Sequence, residues 1–297
     1  MTSPDWPAGD AEPEGAGAEG DGGRIGLAAM RDLVDQSARR GARRQWSIDE
    51  LDWAALRPER LTATDRSVVR FITFIEDHIP GYLTYFLNVF PVTGSDLGVE
   101  EFCFNREYFR FLIAWAHDEE RHASVLTRYQ IEAGISEPGK LALELAEEGR
   151  KRFSLPYDRP IQCFAYTLVQ EKATQLFYQR FRNIVTEPVL HDMLSRLARD
   201  ESRHFAFYCQ LVAAYVQRHG LAATVPSLKE VVGTFRMPLA DTLAGYWRWS
   251  LKVADAAGYD HTEAYETLAR VVKDFTGQPG EACAEDLLAF VQRIRGL

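Results

Sequence analysis

A five-residue motif that occurs twice constrains this chain more than any other feature. Residues 118–122 read DEERH and residues 200–204 read DESRH. In both copies a glutamate and a histidine are three residues apart, so a helix would place both on one face, one turn apart. Each copy lies in a long segment whose apolar residues recur at helical spacing, and the Glu and the His fall on the apolar face. These four polar side chains are therefore predicted to face the core.

Ionised carboxylates are costly to bury unless their charge is compensated. Glutamate oxygens and histidine nitrogens together suit iron, manganese or zinc. A single Glu-x-x-His often occurs by chance on a solvent-facing helix, but two extended copies on apolar faces favour a metal site. Glu119, His122, Glu201 and His204 are thus candidate ligands.

Two further acids fall on apolar helical faces. Glu76 lies on the apolar line of residues 64–90, and Glu171 on that of residues 160–185. Pro80 predicts a kink or distortion just after Glu76. The chain order is then Glu, Glu-x-x-His, Glu, Glu-x-x-His on four long helices, which is the ligand order of ferritin-like di-iron and di-manganese bundles. Four carboxylates and two neutral imidazoles need two divalent ions for neutrality.

The aspartate that opens each motif is a candidate partner for a histidine. A metal-bound imidazole usually donates its other nitrogen to a carboxylate. We expect Asp118 and Asp200 each to accept from the histidine of the opposite helix. Arg121 and Arg203 would then offset the excess of acid.

The rest of the chain predicts an all-α protein. No convincing strand pattern, phosphate-binding loop or dinucleotide-binding glycine motif occurs. We expect one ferritin-like four-helix bundle with a di-metal core, plus additional N- and C-terminal helices, over residues 25–297. Residues 1–24 are rich in Gly, Pro, Ala and acids and are predicted to be a disordered tail. Pro238 is expected to divide a helical segment that runs from Ser227 to Ala256.

Charge and hydropathy narrow the function classes. The formal net charge of −9 argues against nucleic-acid binding. No apolar run approaches the ~20 residues of a membrane span. The four cysteines are scattered, which predicts reduced thiols and a cytoplasmic location. Four clustered arginines are either a favourable charge at a helix C-terminus or part of a docking surface for an acidic partner: Arg39, Arg40, Arg43 and Arg44.

Four short segments carry a resemblance to a known family. Residues 76–82 read EDHIPGY and residues 170–174 read QEKAT. They are similar to the motifs Glu-Glu-x-x-Pro-x-Tyr and Gln-Glu-x-Ala-Thr, while the two pentapeptides are similar to Glu-Glu-x-Arg-His and Asp-Glu-x-Arg-His. These are motifs of the soluble acyl-carrier-protein desaturases of the stearoyl type. The resemblance spans roughly half of the chain.

The resemblance implies an oxygen-dependent oxidoreductase that desaturates an acyl chain carried on acyl carrier protein. It implies a ferredoxin-type electron donor, a homodimer and two iron ions, although manganese suits the same ligands. The implied ligands are Glu76, Glu119, His122, Glu171, Glu201 and His204. Thr174 is implied to lie beside the oxygen-binding face, where its hydroxyl could deliver protons. The alternative is an ordinary helix threonine bonded to a carbonyl one turn back.

Three other functions stay open at the level of sequence. A related di-iron oxygenase would hydroxylate or N-oxidise a carrier-bound or free substrate in a natural-product pathway. N-oxygenases of this fold often carry an extra histidine where this chain has Leu197, which counts against them. A radical-generating subunit needs a redox tyrosine near the metals, but Tyr166 is predicted to lie off the metal-facing line. Long loops and extra C-terminal helices disfavour a ferritin-like iron store.

Overall fold

The computed structural model describes residues 23–243, 246, 263–275 and 282–295. Within these residues the regular secondary structure is entirely helical, so the predicted all-α class is confirmed. The α-helices are α1 (Leu27–Ala42), α2 (Ala63–Glu76), α3 (Ile79–Val89), α4 (Val99–Glu132), α5 (Pro138–Gly149), α6 (Pro160–Ile184), α7 (Pro188–His219), α8 (Leu221–Thr234), α9 (Glu263–Phe275) and α10 (Ala282–Arg295). Three short 3-10 turns lie between α1 and α2, at Ile48–Glu50, Trp53–Ala55 and Pro58–Arg60.

Local sequence sets the helix boundaries. The helices α5, α6 and α7 each begin with a proline, whose fixed φ and missing N–H suit the first helical position. Thr62 caps α2: its hydroxyl accepts from the Asp65 backbone N–H at 3.0 Å, and the Asp65 carboxylate accepts from the Thr62 N–H at 2.8 Å. After α4, Gly134 adopts a φ of +61°, a conformation that disfavours side chains.

The break between α2 and α3 falls directly after a candidate ligand. The helix α2 ends at Glu76 and α3 begins at Ile79, because Pro80 cannot donate a backbone hydrogen bond. The Tyr82 hydroxyl donates to the Ile75 carbonyl at 2.9 Å and helps to satisfy the end of α2. The predicted distortion after Glu76 is confirmed, and it leaves this carboxylate on the last residue of its helix.

The helices form a bundle with further helices around it. The helix α2 packs against α4, α6 packs against α7, and contacts between α4 and α7 join the two pairs. The helix α1 lies against both α4 and α7. The helix α9 packs against α6 and α7, while α10 packs against α8 and α9. The motif-bearing helix α4 therefore packs against α1, α2, α3 and α7, and α7 packs against α1, α4, α6, α8 and α9.

The apolar interior is divided into two clusters by a polar layer. On α4 the first cluster ends at Trp115 and the second begins at Val125. On α7 the second cluster ends at Ala198 and the first begins at Phe207. The two pentapeptides occupy these gaps, so their acids and imidazoles lie between two apolar regions.

Two predicted boundaries differ from the structure. The helix α8 begins at Leu221 rather than Ser227 and continues through Pro226. The reason is burial, because Leu221 and Val225 pack into the first apolar cluster and override the break that the proline predicts. The helix then ends at Thr234, before the predicted division at Pro238. The rest of the predicted segment from residue 244 onward, other than Tyr246, lies outside the described residues.

The predicted tail also lies mostly outside the described residues, at positions 1–22. Arg24, at its end, contacts Glu101 of α4 at 2.6 Å. No described helix combines the length and hydropathy that a bilayer crossing requires. The four cysteines are all free thiols in the structure.

Candidate metal centre

The six predicted ligands lie together in the polar layer, and all six are buried. Their ligand atoms form two overlapping groups of four, and within each group the atoms lie within 4.8 Å of one another. One group consists of Glu76, Glu119, His122 and Glu201, and the other of Glu119, Glu171, Glu201 and His204. The structure therefore brings together every residue that the sequence picks out as a ligand.

Glu119 and Glu201 belong to both groups. Glu119 places Oε1 3.0 Å from His204 Nδ1 and Oε2 3.6 Å from His122 Nδ1. Glu201 does the reverse, with Oε1 3.5 Å from His122 Nδ1 and Oε2 3.6 Å from His204 Nδ1. A carboxylate that presents one oxygen to each histidine is placed to bridge two ions.

Glu76 and Glu171 each serve a single group. Glu76 Oε2 lies 3.5 Å from His122 Nδ1, and Glu171 Oε2 lies 3.5 Å from His204 Nδ1. These two carboxylates are placed to bind one ion each, at opposite ends of the centre.

The second oxygen of each end carboxylate accepts a hydrogen bond from an aromatic side chain. The Tyr178 hydroxyl, on α6, donates to Glu76 Oε1. The Trp115 indole N–H, on α4, donates to Glu171 Oε1 at 3.1 Å. Each end carboxylate is thus held at one oxygen by a neighbouring helix, and the other oxygen faces the centre.

The donor set fits two divalent cations. Buried polar atoms in proteins are ordinarily hydrogen bonded. Five buried atoms of these residues have no hydrogen-bond partner: Glu119 Oε1, His122 Nδ1, Glu171 Oε2, Glu201 Oε1 and His204 Nδ1. Carboxylate and imidazole lone pairs that converge without a donor between them suit a cation. The cluster can therefore hold two metal ions.

The pKa values reflect the crowding of acids. Burial raises the pKa of Glu76 to about 7 and that of Glu201 well above its ordinary value. Burial opposes ionisation of Glu119 too, but contacts with the two imidazoles lower its pKa. Burial also disfavours imidazolium, yet the surrounding carboxylates raise the pKa of His122 and His204 well above the ordinary value. A cation that binds here must displace these protons.

Each histidine also contacts an aspartate of the opposite helix. His122 Nε2 lies 3.2 Å from Asp200 Oδ2, and His204 Nε2 lies 3.3 Å from Asp118 Oδ2. If Nε2 donates to these carboxylates, the Nδ1 lone pair is free to face the centre. These crossed contacts agree with the expected ones, whereas metal binding by the imidazoles stays a prediction.

Two arginines neutralise the aspartates. Arg121 Nη2 contacts Asp118 Oδ1 and also lies 3.1 Å from Asp200 Oδ2. Arg203 Nη2 contacts Asp200 Oδ1 and lies 3.1 Å from Asp118 Oδ2. Burial opposes ionisation of both aspartates, but contacts with the histidines and Arg203 outweigh it and lower the pKa of each. Both carboxylates are therefore ionised behind the histidines.

Comparison with known proteins gives the family. The sequence profile described as fatty acid desaturase matches residues 49–274, which is most of the chain. The chain belongs to this fatty acid desaturase family, of the acyl-carrier-protein type. The match includes all six predicted ligands.

Two relatives in the family show the extent of the sequence likeness. Acyl-[acyl-carrier-protein] desaturase 6, chloroplastic, of Oryza sativa subsp. japonica is 26% identical over 175 residues, which cover 56% of this chain and 41% of the relative. DesA2 of Mycobacterium tuberculosis, a proposed acyl-[acyl-carrier-protein] desaturase, is 25% identical over 114 residues, which cover 38% of this chain and 42% of that protein. The matched segments thus span about two fifths of these relatives' lengths.

A solved desaturase-family structure shows the shared fold. The X-ray structure of DesA2 from Mycobacterium tuberculosis H37Rv superposes with a TM-score of 0.61 at 18% sequence identity. The superposition covers 88% of this chain and 98% of that chain. The predicted ferritin-like architecture is confirmed.

The sequence analysis of this desaturase-family chain does not identify three side chains that contact the site: Trp46, Trp115 and Tyr178. Trp46, which follows α1, donates from its indole N–H to Asp200 Oδ2 at 2.8 Å and is buried. The Arg121 guanidinium lies 5.0 Å from the centroid of its ring. No local pattern marks this contact, because the two hydrogen-bonded residues are 154 positions apart.

Helical spacing in the sequence could have identified Tyr178 and Trp115 as neighbours of the ligands. Tyr178 follows Glu171 by seven residues, and Trp115 precedes Glu119 by four, so helical spacing places each near the face of a ligand. The sequence does not say which carboxylate each would reach. Tyr178 contacts Glu76 of α2, and Trp115 contacts Glu171 of α6.

Thr174 lies on α6, one turn after Glu171. Its hydroxyl donates to the Gln170 carbonyl at 3.1 Å and accepts from the Gln170 side-chain amide at 3.4 Å. The first contact is that of an ordinary helix threonine, and a part in proton delivery stays a prediction. Tyr166 is the tyrosine considered above for a radical-generating subunit. Its hydroxyl donates to the Arg236 carbonyl at 3.0 Å.

Proposed function

We propose that this protein is an oxygen-dependent di-iron oxidoreductase that desaturates an acyl chain attached to acyl carrier protein. The observation that carries the proposal is the buried set of four glutamates and two histidines in two overlapping groups. Membership of the fatty acid desaturase family supports the reaction class. The names of the relatives support the carrier-bound substrate.

The reaction class accounts for the ligand set. Two iron ions would supply the oxidising chemistry needed to remove hydrogen from adjacent methylene groups, which no side chain is basic enough to deprotonate. Glu119 and Glu201 would hold both ions, while Glu76 and Glu171 would each hold one. The apolar clusters on either side exclude water from the centre.

A cavity formed by the loop before α6, by α6 and by the segment after α8 supports an acyl substrate. Its volume of about 360 Å³ is within the range of small-molecule sites. Its lining extends from the exposed Arg152 and Arg236 to the buried Tyr166 and includes Phe153. The exposed Arg152 guanidinium suits the phosphate of a carrier arm, while Arg236 pairs with Asp241 of the same lining at 3.3 Å. The aromatic rings suit the chain.

Contacts link the lining of this cavity to the end of α2, where Glu76 lies. The Phe153 ring lies edge-on to the Tyr82 ring, with centroids 4.8 Å apart. The Tyr82 hydroxyl in turn donates to the carbonyl of Ile75, the residue before Glu76. A chain in the cavity would thus approach the centre at the end formed by Glu76.

A positively charged cleft supports an acidic, ferredoxin-type electron donor. The cleft lies between α1 and α7, has a volume of about 320 Å³ and is lined in part by Arg40, Arg44 and Arg203. In a protein of net charge −9, such a surface favours an acidic partner. Arg203 contacts both aspartates that lie behind the histidines, so a partner there would be near the centre. A homodimer is proposed on the family resemblance alone, and a cytoplasmic location on the scattered, free cysteines.

The test is a single-turnover reaction. The iron-loaded protein is reduced without air, mixed with acyl-acyl carrier proteins and oxygen, and the product masses are measured. We expect a product that has lost two hydrogens. A gain of one oxygen would instead identify a hydroxylase or N-oxygenase, and oxygen uptake that yields only ferric mineral would refute an enzymatic role.

A further inference from the structure

Glu76 occupies a less rigid backbone position than the equivalent acid of the other group. It is the last residue of α2, and α3 begins only at Ile79. Glu171 lies within α6, with helix on both sides. The orientation of the Glu76 carboxylate therefore depends more on contacts from other helices.

The hydroxyl of Tyr178 supplies such a contact. Tyr178 is 1% exposed, its ring belongs to the second apolar cluster, and its hydroxyl donates to Glu76 Oε1. Glu76 Oε2 remains directed toward His122 Nδ1, 3.5 Å away. The two oxygens of one carboxylate thus have different surroundings, one a phenol and the other the centre.

This arrangement limits how the carboxylate can bind an ion. A carboxylate can bind a cation through one oxygen or chelate it through both. Chelation would draw Oε1 toward the cation and away from the Tyr178 hydroxyl, which weakens a buried hydrogen bond and is unfavourable. The ring of Tyr178 cannot follow, because it is packed among apolar side chains.

We propose that Tyr178 is a positioning residue that restricts Glu76 to binding an ion through one oxygen. It thereby keeps one coordination position of that ion open to a small external ligand. The proposal rests on the di-metal centre of the proposed function, but not on the reaction that the centre performs. Trp115 makes the corresponding contact with Glu171 at the other end.

The test compares external ligand binding in the wild type and Tyr178→Phe, a change that removes one oxygen atom and keeps the ring. Both proteins are loaded with Co²⁺ as the only metal, and azide is titrated while the visible absorption of Co²⁺ is recorded. We expect Tyr178→Phe to bind two Co²⁺ ions, with azide affinity at one of them weakened by about 10-fold, because a chelating Glu76 would occupy the position that azide needs. This is the lower end of the changes in metal affinity or activity that follow the loss of a contact behind a metal ligand. The absorption of that ion should also weaken, because its coordination number rises.

Tyr129→Phe is the matched control. The Tyr129 hydroxyl donates to Glu187 Oε2 at 2.7 Å, and both residues are buried outside the centre. This variant loses the same kind of bond, so it should show wild-type azide binding. Thermal unfolding of both variants checks that they are folded.

Two results would overturn the proposal. One is a wild-type azide titration and spectrum for Tyr178→Phe. The other is an equal loss of azide binding in Tyr129→Phe, which would mean a general effect of the lost hydroxyl. A wild type that binds no Co²⁺ refutes the metal centre and this proposal together, whereas one that binds Co²⁺ but desaturates nothing refutes only the reaction.

Discussion

The two ends of the centre present the same ligand types, but they are held in place differently. At one end Glu171 lies within a continuous helix and accepts from Trp115. At the other end Glu76 closes a helix and accepts from Tyr178. The comparison teaches that one ligand can be oriented largely by its own helix, whereas its counterpart depends on contacts with distant segments.

The histidine partners differ as well. Asp200, which contacts His122, also accepts from the Trp46 indole. Asp118, which contacts His204, shares Arg121 and Arg203 with Asp200, but no indole bond to Asp118 occurs among the described residues. The two groups present matching ligands, but the residues behind those ligands do not match in every case.

The largest expected effect comes from removing a carboxylate that both ends share. Glu119→Ala or Glu201→Ala should abolish binding of both ions, since each residue belongs to both groups. Metal content by mass spectrometry and helicity by circular dichroism measure the result. Glu171→Ala is the control, and it should lose one ion only. Two ions retained in Glu119→Ala would contradict the shared role.

A smaller effect is expected behind the histidines. Asp200→Asn and Asp118→Asn should each lower metal affinity by about 10- to 100-fold, because the imidazole loses its charged acceptor. Competition with a chelator measures the affinity. Equal losses would mean that Trp46 adds nothing at the His122 end. A larger loss of metal affinity for Asp200→Asn than for Asp118→Asn would mean that the two ends also differ in how strongly the aspartate behind the histidine supports metal binding.

The pH dependence of metal binding tests both ends together. The raised pKa values of His122 and His204, and the pKa of Glu76 at about 7, mean that protons compete with the ions. Metal affinity should therefore rise with pH from 6 to 8, and binding should release protons. Calorimetry in buffers with different ionisation enthalpies counts those protons. Affinity that did not change with pH would exclude protonated imidazoles in the metal-free protein.

The smallest effect should come from Trp46→Phe. This change removes one buried hydrogen bond to a charged acceptor, so the free energy of unfolding should fall by about 1 to 2 kcal/mol, with metal stoichiometry unchanged. Chemical denaturation measures it. Trp53→Phe removes an indole bond to the Ile48 carbonyl, at 3.0 Å, and should cost less. An equal decrease in the free energy of unfolding for both variants would mean that the bond to Asp200 stabilises the fold no more than an indole bond to a backbone carbonyl.

The sequence predicts those parts of the centre that depend on spacing within one helix. The inward direction of Glu119 and His122 on α4 follows from a 3.6-residue period. Contacts between distant segments have no such local pattern. The bond between Trp46 and Asp200, and the choice of Glu76 as the partner of Tyr178, arise only when the helices pack.

The early start of α8 has the same origin. Pro226 locally indicates a helix beginning, and only the burial of Leu221 and Val225 in the tertiary structure extends the helix before it.

The polar layer between the apolar clusters bears on how strongly bound ions stabilise the fold. Four buried carboxylates and two imidazoles lie together in this layer, and like charges repel there until a cation binds. Ions that bind only the folded chain raise the free energy of unfolding. Loading the centre with metal should therefore raise the unfolding temperature of the bundle.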